Sequence, residues 1–184
     1  TQQELGLSIR QSNLCSEITL ATNEERTAVC CLSSVNLEHF DKWSEDPQFI
    51  EDLITMLDNV IEHYIENAVD TSQLGGYSAN FKRFTKYIKE GKEGYAKSAY
   101  SAYRERSVGL GAMGFHAYLQ SQNIAFESIY ATGFNHRAFK HIKSKAVQAT
   151  ERLADMRGEC PDLHNTNRRN AHLLAIAPNA SSGI

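Results

Sequence analysis

Short apolar runs alternate with long stretches in which apolar residues recur every three or four positions, the texture of a helix-rich α/β protein. Glu17 to Leu20 and Thr27 to Ser34 read as two strands separated by the polar turn Asn23-Glu24-Glu25-Arg26. The second is nearly uniformly apolar, which suits a strand buried on both faces in a parallel sheet or barrel. Next, Ile50, Leu53, Ile54, Leu57, Val60, Ile61, Tyr64 and Ile65 form one stripe at helical spacing. Asp46 is placed to cap this helix and Pro47 lies in its first turn, where a missing N–H costs nothing. Glu51, Asp52, Asp58, Glu62 and Glu66 are assigned to its solvated face.

The periodicity weakens from Asp70 to Gly94, where Gly75, Gly76, Gly91 and Gly94 interrupt a locally basic stretch (Lys82, Arg83, Lys86, Lys89, Lys92). A charged connector with one short helix is the expectation there. Tyr87, Tyr95, Tyr100 and Tyr103 read as half-buried packing on an amphipathic helix rather than as a redox relay. Gly109, Gly111 and Gly114 satisfy the bare Gly-x-Gly-x-x-Gly pattern of dinucleotide sites, but no βαβ unit precedes them. They are read instead as allowing close backbone approach where a short strand meets a helix, with His116 a structural residue on that helix. A long helix is predicted from Ile129 to Arg157, stopped by Gly158, with Pro161 beyond it and Cys160 in the exit turn. The strand-like run Ala171 to Ala177 then empties into Pro178-Asn179-Ala180-Ser181-Ser182-Gly183, which reads either as a plain polar loop or as an anion cradle of backbone N–H groups.

Composition narrows this little. A chain of 184 residues, 41% hydrophobic and 22% charged, suffices for one domain with a core, and a net charge of −3 provides no basic footprint for DNA or RNA. No apolar run approaches membrane-spanning length and no signal-peptide core is present, so a cytoplasmic location is expected. Cys15, Cys30, Cys31 and Cys160 are too few and too oddly spaced for a secreted disulfide framework, and neither Cys-x-x-Cys nor His-x-x-x-His occurs, so no metal site is expected.

Ser12-Asn13-Leu14-Cys15-Ser16-Glu17-Ile18 carries an amide, a thiol and a carboxylate at every second position. In an extended backbone Asn13, Cys15 and Glu17 would share one face. Spacing alone leaves open a buried core thiol and a catalytic one.

The run resembles the thiyl-radical finger loop of the large subunit of class I ribonucleotide reductases. Ala28-Val29-Cys30-Cys31-Leu32-Ser33 looks like the segment that carries that family's substrate-reducing cysteine at Cys30. Arg106 to Gly111 is similar to its barrel helix entry, and Ala177 to Ser182 to its substrate-phosphate loop. The motifs stand in the family's order and span essentially the whole chain. The resemblance implies part of a ten-stranded α/β barrel, with the finger loop near 10–18 and the phosphate loop at 178–183, all of 1–184 being one segment of the catalytic barrel.

It further implies that Cys15 becomes a thiyl radical, that Glu17 is the general base and that Asn13 holds the ribose hydroxyls. Ser12, Leu14, Pro178, Asn179, Ala180, Ser181 and Ser182 would join Asn13 and Glu17 in binding a ribonucleoside diphosphate. Cys30 would be half of a dithiol whose other half lies upstream of the finger loop, outside this chain. No cofactor is implied within the chain: the radical would come from a metal-containing small subunit and the reducing power from a thioredoxin- or glutaredoxin-type dithiol. The allosteric domain and C-terminal redox tail of the family are absent from the sequence, so complementary large-subunit segments, possibly as separate chains, are expected partners. Two other readings stand beside this one: a scaffold of reductase ancestry without its own activity, and a thiol oxidoreductase pairing Cys15 with Cys30.

Overall fold

The computed structural model describes residues 6–68, 86 and 95–181. The basic stretch around Lys82 to Lys92 apart from Lys86, Tyr87, the glycines between 75 and 94, and Ser182 and Gly183 lie outside the described residues.

Strand β1 (Cys31–Asn36) pairs in parallel with β2 (Val108–Met113), Cys31 opposite Val108 and Asn36 opposite Met113. Parallel neighbours need a long return connection. Here it contains a short helical turn at Leu37–His39, α1 (Phe40–Trp43), α2 (Phe49–Asn67) and α3 (Tyr95–Glu105). After β2, α4 (Phe115–Ser121) and α5 (Ile129–Arg157) form a second return, which brings residues 171–175 along the other edge of β2. Val108 N donates to His172 O at 3.0 Å, Leu110 N to Leu173 O at 2.8 Å and Ala175 N to Leu110 O at 3.3 Å. The expected last strand is therefore a parallel neighbour of β2, linked by a single bridge at Leu174 rather than a full ladder.

Helix α5 follows the predicted bounds. Ser128 caps it through a hydrogen bond from Ala131 N, and Gly158 ends it at φ +84. Helix α2 starts slightly later than expected, because Asp46 Oδ1 accepts from Gln48 N at 2.9 Å in a turn that also contains Pro47. Ile50, Ile54, Leu57, Ile61 and Ile65 are buried against Phe134, Ala138, Ile142, Ala146 and Leu153 of α5, whereas Val60 is left exposed. Each such side chain contributes about 1.5–3 kcal/mol of apolar burial. Tyr103 is buried, Tyr100 half-buried and Tyr95 exposed, so packing describes the first two.

Three expectations fail. Glu17 to Leu20 forms no strand, because the backbone of Ile18 is bonded to Asn13 in a turn. The second strand is shifted to Cys31–Asn36 and has one covered face: Val35 lies in the helix-backed core while Leu32 is 40% exposed. Asp58 and Glu62 do not lie on a solvated face. Asp58 is completely buried, because Arg106, Arg169 and Asn170 converge on it from β2's entry and the C-terminal segment.

The sheet thus has two different faces. Val108, Leu110 and Val35 meet the helices, while Gly109, Ala175 and Cys30 join a smaller cluster with Ile18 and Leu20. The glycines serve close approach as expected: a Cβ at Gly109 would stand 2.4 Å from Leu32 Cδ2, and one at Gly111 2.4 Å from Ala175 O. Gly114 turns the chain into α4 at φ +75, a conformation that costs glycine nothing.

Candidate functional site

The segment expected to be extended is a turn. Ser16 N donates to Asn13 O at 3.2 Å, Asn13 N to Ile18 O at 3.2 Å and Ile18 N to the Asn13 side-chain oxygen at 3.3 Å. Ser16 sits in the left-handed region at φ +60. Asparagine at the turn's first position competes for backbone groups that a strand would need, which is why residue alternation fails here. Asn13, Cys15 and Glu17 therefore do not share a strand face. Buried Ile18 and Leu20 pin the base of the turn to Ala175, Ala28 and Cys30, and the tip projects outward, with Leu14 99% exposed and Cys15 exposed.

Beneath the turn lies a cavity of about 200 Å³ lined by Ser12, Asn13, Ile18, Leu20, Ala28 and Cys30, among others. Cys30 is half-buried and its thiol points toward Cys31 O at 3.7 Å. Burial, reinforced by the Cys31 thiol and the Glu17 and Glu105 carboxylates, pushes the Cys30 thiol up to about 12. At neutral pH it is a protonated thiol, the form able to release a hydrogen atom. Glu17 is half-buried, and its Oε2 is buried without a hydrogen-bond partner among the described residues. The neighbouring Cys31 packs against the helix-backed core on the opposite face, as strand alternation requires. Burial raises its thiol as well, opposed by the Arg106 charge.

The structure thus brings Ser12, Asn13, Glu17 and Cys30 together and leaves Leu14 and Cys15 on the exposed tip. Pro178, Asn179, Ala180 and Ser181 do not line this cavity. They follow the third parallel segment at the carboxyl end of β2, where Asn179 Nδ2 donates to Ala112 O at 3.3 Å and Ala177 O at 3.0 Å. Pro178, Ala180 and Ser181 are exposed there. Ser182 lies outside the described residues.

A family model described as the ribonucleotide reductase barrel domain matches residues 1–168. The chain belongs to the ribonucleotide reductase barrel-domain family. It is 45% identical over its full length to the ribonucleoside-diphosphate reductase large subunit of Invertebrate iridescent virus 3, of which it covers 25%. It is 47% identical to the putative large subunit of Frog virus 3 (isolate Goorha), covering 97% of the chain and 28% of that protein. Among solved structures, the Actinobacillus ureae class Id ribonucleotide reductase alpha subunit superposes with a TM-score of 0.82 at 34% identity, over 98% of this chain and 31% of that one. The chain accordingly spans about a quarter to a third of the length of these reductase relatives. Among the described residues no helix is long and apolar enough to cross a membrane.

Two polar groupings beside this cavity escaped the sequence reading. Glu105 Oε2 accepts from Ser107 Oγ at 3.1 Å, and Ser107 Oγ lies 3.3 Å from Nδ1 of the half-buried His172, behind the start of β2. Asp58 collects Arg106, Arg157, Arg169 and Asn170. A signal for the second was present: Asp58 stands four residues after Ile54 and three before Ile61, inside the apolar stripe.

Proposed function

We propose that this chain is a catalytic-barrel segment, 1–184, of the large subunit of a class I ribonucleoside-diphosphate reductase, converting ribonucleotides to deoxyribonucleotides in the cytoplasm. The observation that carries the reading is the meeting of Asn13 and the protonated Cys30 thiol at one cavity, with the Glu17 carboxylate near enough to help raise that thiol, on the sheet face away from the helices. In this reading the 13–18 turn is the tip of the finger loop near 10–18, and the two-strand sheet with its third parallel segment is part of a ten-stranded barrel completed by other large-subunit segments. Those segments, in one chain or several, enclose the tip and supply the allosteric region, the second thiol and the redox tail.

The radical originates in a metal-containing small subunit. Cys15 takes the 3′ hydrogen of the ribose as a thiyl radical, while Glu17 accepts the 3′-hydroxyl proton. Asn13 orients the ribose hydroxyls. The 2′-hydroxyl leaves as water, and Cys30 with its partner thiol supplies two electrons and becomes a disulfide. The hydrogen returns from Cys15 to C3′, and a thioredoxin- or glutaredoxin-type dithiol reduces the disulfide. The 178–182 loop takes the diphosphate. Supporting this, Ala175 packs in the Cys30 cluster, and at about 3.3 Å per residue the loop begins roughly 10 Å farther along the same segment, within the reach of a nucleoside diphosphate.

The test supplies the remaining large-subunit segments, the small subunit and a dithiol, and measures deoxynucleotide formation. Cys15→Ala abolishes it, and Cys30→Ser abolishes multiple turnover. Deoxynucleotide formation retained in Cys15→Ala overturns the proposal.

A further inference from the structure

We propose that Asn179 is a positioning residue, whose side-chain amide ties the loop after the third parallel segment to the carboxyl end of β2 and so presets the loop for the substrate's diphosphate. The inference rests on the reductase reading above and concerns how this chain builds its anion loop, not which loop it is.

Asn179 adopts φ +53, a left-handed conformation that reverses the chain and that asparagine tolerates better than other side-chain-bearing residues. Its Nδ2 donates both to Ala177 O, two residues back in its own segment, and to Ala112 O on the neighbouring strand. Both protons of one amide group are thereby directed at backbone carbonyls, one closing the turn and one clamping it to β2. The strand it clamps to is itself held close: Gly111 lies against Ala175 O, where no Cβ could fit. The loop at 178–181 therefore leaves a tightly registered pair of parallel segments, and the Asn179 amide extends that registration into the turn.

Among the described residues of the loop, the side chains give little to bind an anion. Pro178 and Ala180 offer no side-chain donors, and Ser181 is an exposed hydroxyl. The backbone N–H groups of the loop are then main donors to a diphosphate, and their directions are set by its curvature. A loop that must be ordered on binding charges that cost to affinity, and a loop already ordered does not. The amide's contribution consequently appears in substrate affinity rather than in the chemical step.

The experiment uses the assembled reductase, with the remaining large-subunit segments, small subunit and dithiol present. Asn179→Gly keeps the left-handed backbone available and removes the side-chain hydrogen bonds to Ala112 and Ala177. Asn179→Asp keeps size and shape but replaces the donor with a carboxylate facing two carbonyls. Both variants are expected to raise KM for the diphosphate substrate by about tenfold, as two modest hydrogen bonds imply, with kcat at saturation within twofold of the parent. Asn179→Asp is expected to show the larger KM. Inhibition by inorganic pyrophosphate weakens in parallel, which locates the effect on the phosphates rather than on the ribose.

An unchanged KM in Asn179→Gly overturns the proposal, as does a fall in kcat with KM unaltered. Should Asn179→Asp fail to fold, Asn179→Gly and the pyrophosphate inhibition still decide the matter. These outcomes are separable from failure of the underlying reading, which shows itself as deoxynucleotide formation that persists in Cys15→Ala.

Discussion

Arg106 Nε donates to Asp58 Oδ1 across 2.8 Å, and neither side chain has any solvent exposure. The pair joins the middle of α2 to the second residue before β2. It is extended by Arg106 to Glu62 at 2.8 Å, by Arg157 to Asp58 at 2.8 Å and by Asn170 to Asp58 at 3.0 Å. The helix-backed side of the sheet is thus fastened by charge as well as by apolar packing at the entry to β2.

Removing one partner of a buried ion pair leaves the others desolvated and uncompensated. Asp58→Ala is therefore expected to lower the stability of the chain by about 3–5 kcal/mol, read from a urea or guanidinium melt. A change below about 1 kcal/mol, the scale of an exposed pair, would show that the network is not stabilising.

The same pair sets an acid limit. Burial opposes ionisation of Asp58, but the Arg106 charge and hydrogen bond, Arg169 and the Arg157 hydrogen bond outweigh it and hold the carboxyl below its ordinary value. Because the folded-state value is depressed, the stabilisation is complete above the unfolded carboxylate value, about 4, and is lost as pH falls through the lower folded-state value. The urea midpoint should fall below about pH 4, and Asp58→Asn should flatten that part of the profile. An identical acid slope in both proteins would assign the transition to other groups.

Thiol reactivity separates the cysteines. Cys15 is exposed, whereas burial, the loudest influence on both, pushes Cys30 and Cys160 up to about 12. At pH 8 a thiol of that kind is about one part in ten thousand thiolate. Brief iodoacetamide treatment followed by peptide mass mapping should label Cys15 well ahead of Cys30 and Cys160. Equal labelling of Cys30 would mean that its environment does not hold the proton.

Glycine substitutions should divide by what a Cβ meets. At Gly111 it would stand 2.4 Å from the backbone Ala175 O, which cannot swing aside, so Gly111→Ala is expected to destabilise by about 1–3 kcal/mol. Gly133, in the interior of α5, has nothing within 4 Å, and Gly133→Ala is expected to stabilise by about 0.5–1 kcal/mol. Paired thermal melts check both signs.

What could be read from the chain follows the range of the physics involved. Helices α2 and α5 were legible because periodicity and, for α5, a terminal glycine act within a turn or two of the residue they affect. Cys30 and Cys31 could be sorted to opposite faces because the two-residue repeat of a strand is local. The 13–18 turn was not legible, since alternating residue types fit a strand equally well. The Asn13 side chain's bond to Ile18 N and the burial of Ile18 against Ala175 decided otherwise.

By itself the sequence determined the helices, the order of the reductase-like motifs and the residue types available for chemistry. Only the tertiary structure decided which of those residues meet. The apolar stripe marks Asp58 as a candidate for burial, but its partners are fixed only when Arg106, 48 positions away, and Arg169, 111 positions away, are folded onto it. Asn179 looks like a loop residue until β2 offers it the carbonyl of Ala112. A polar group's fate depends on the partners available once water has been excluded, and those partners are brought by long-range packing that no local pattern encodes.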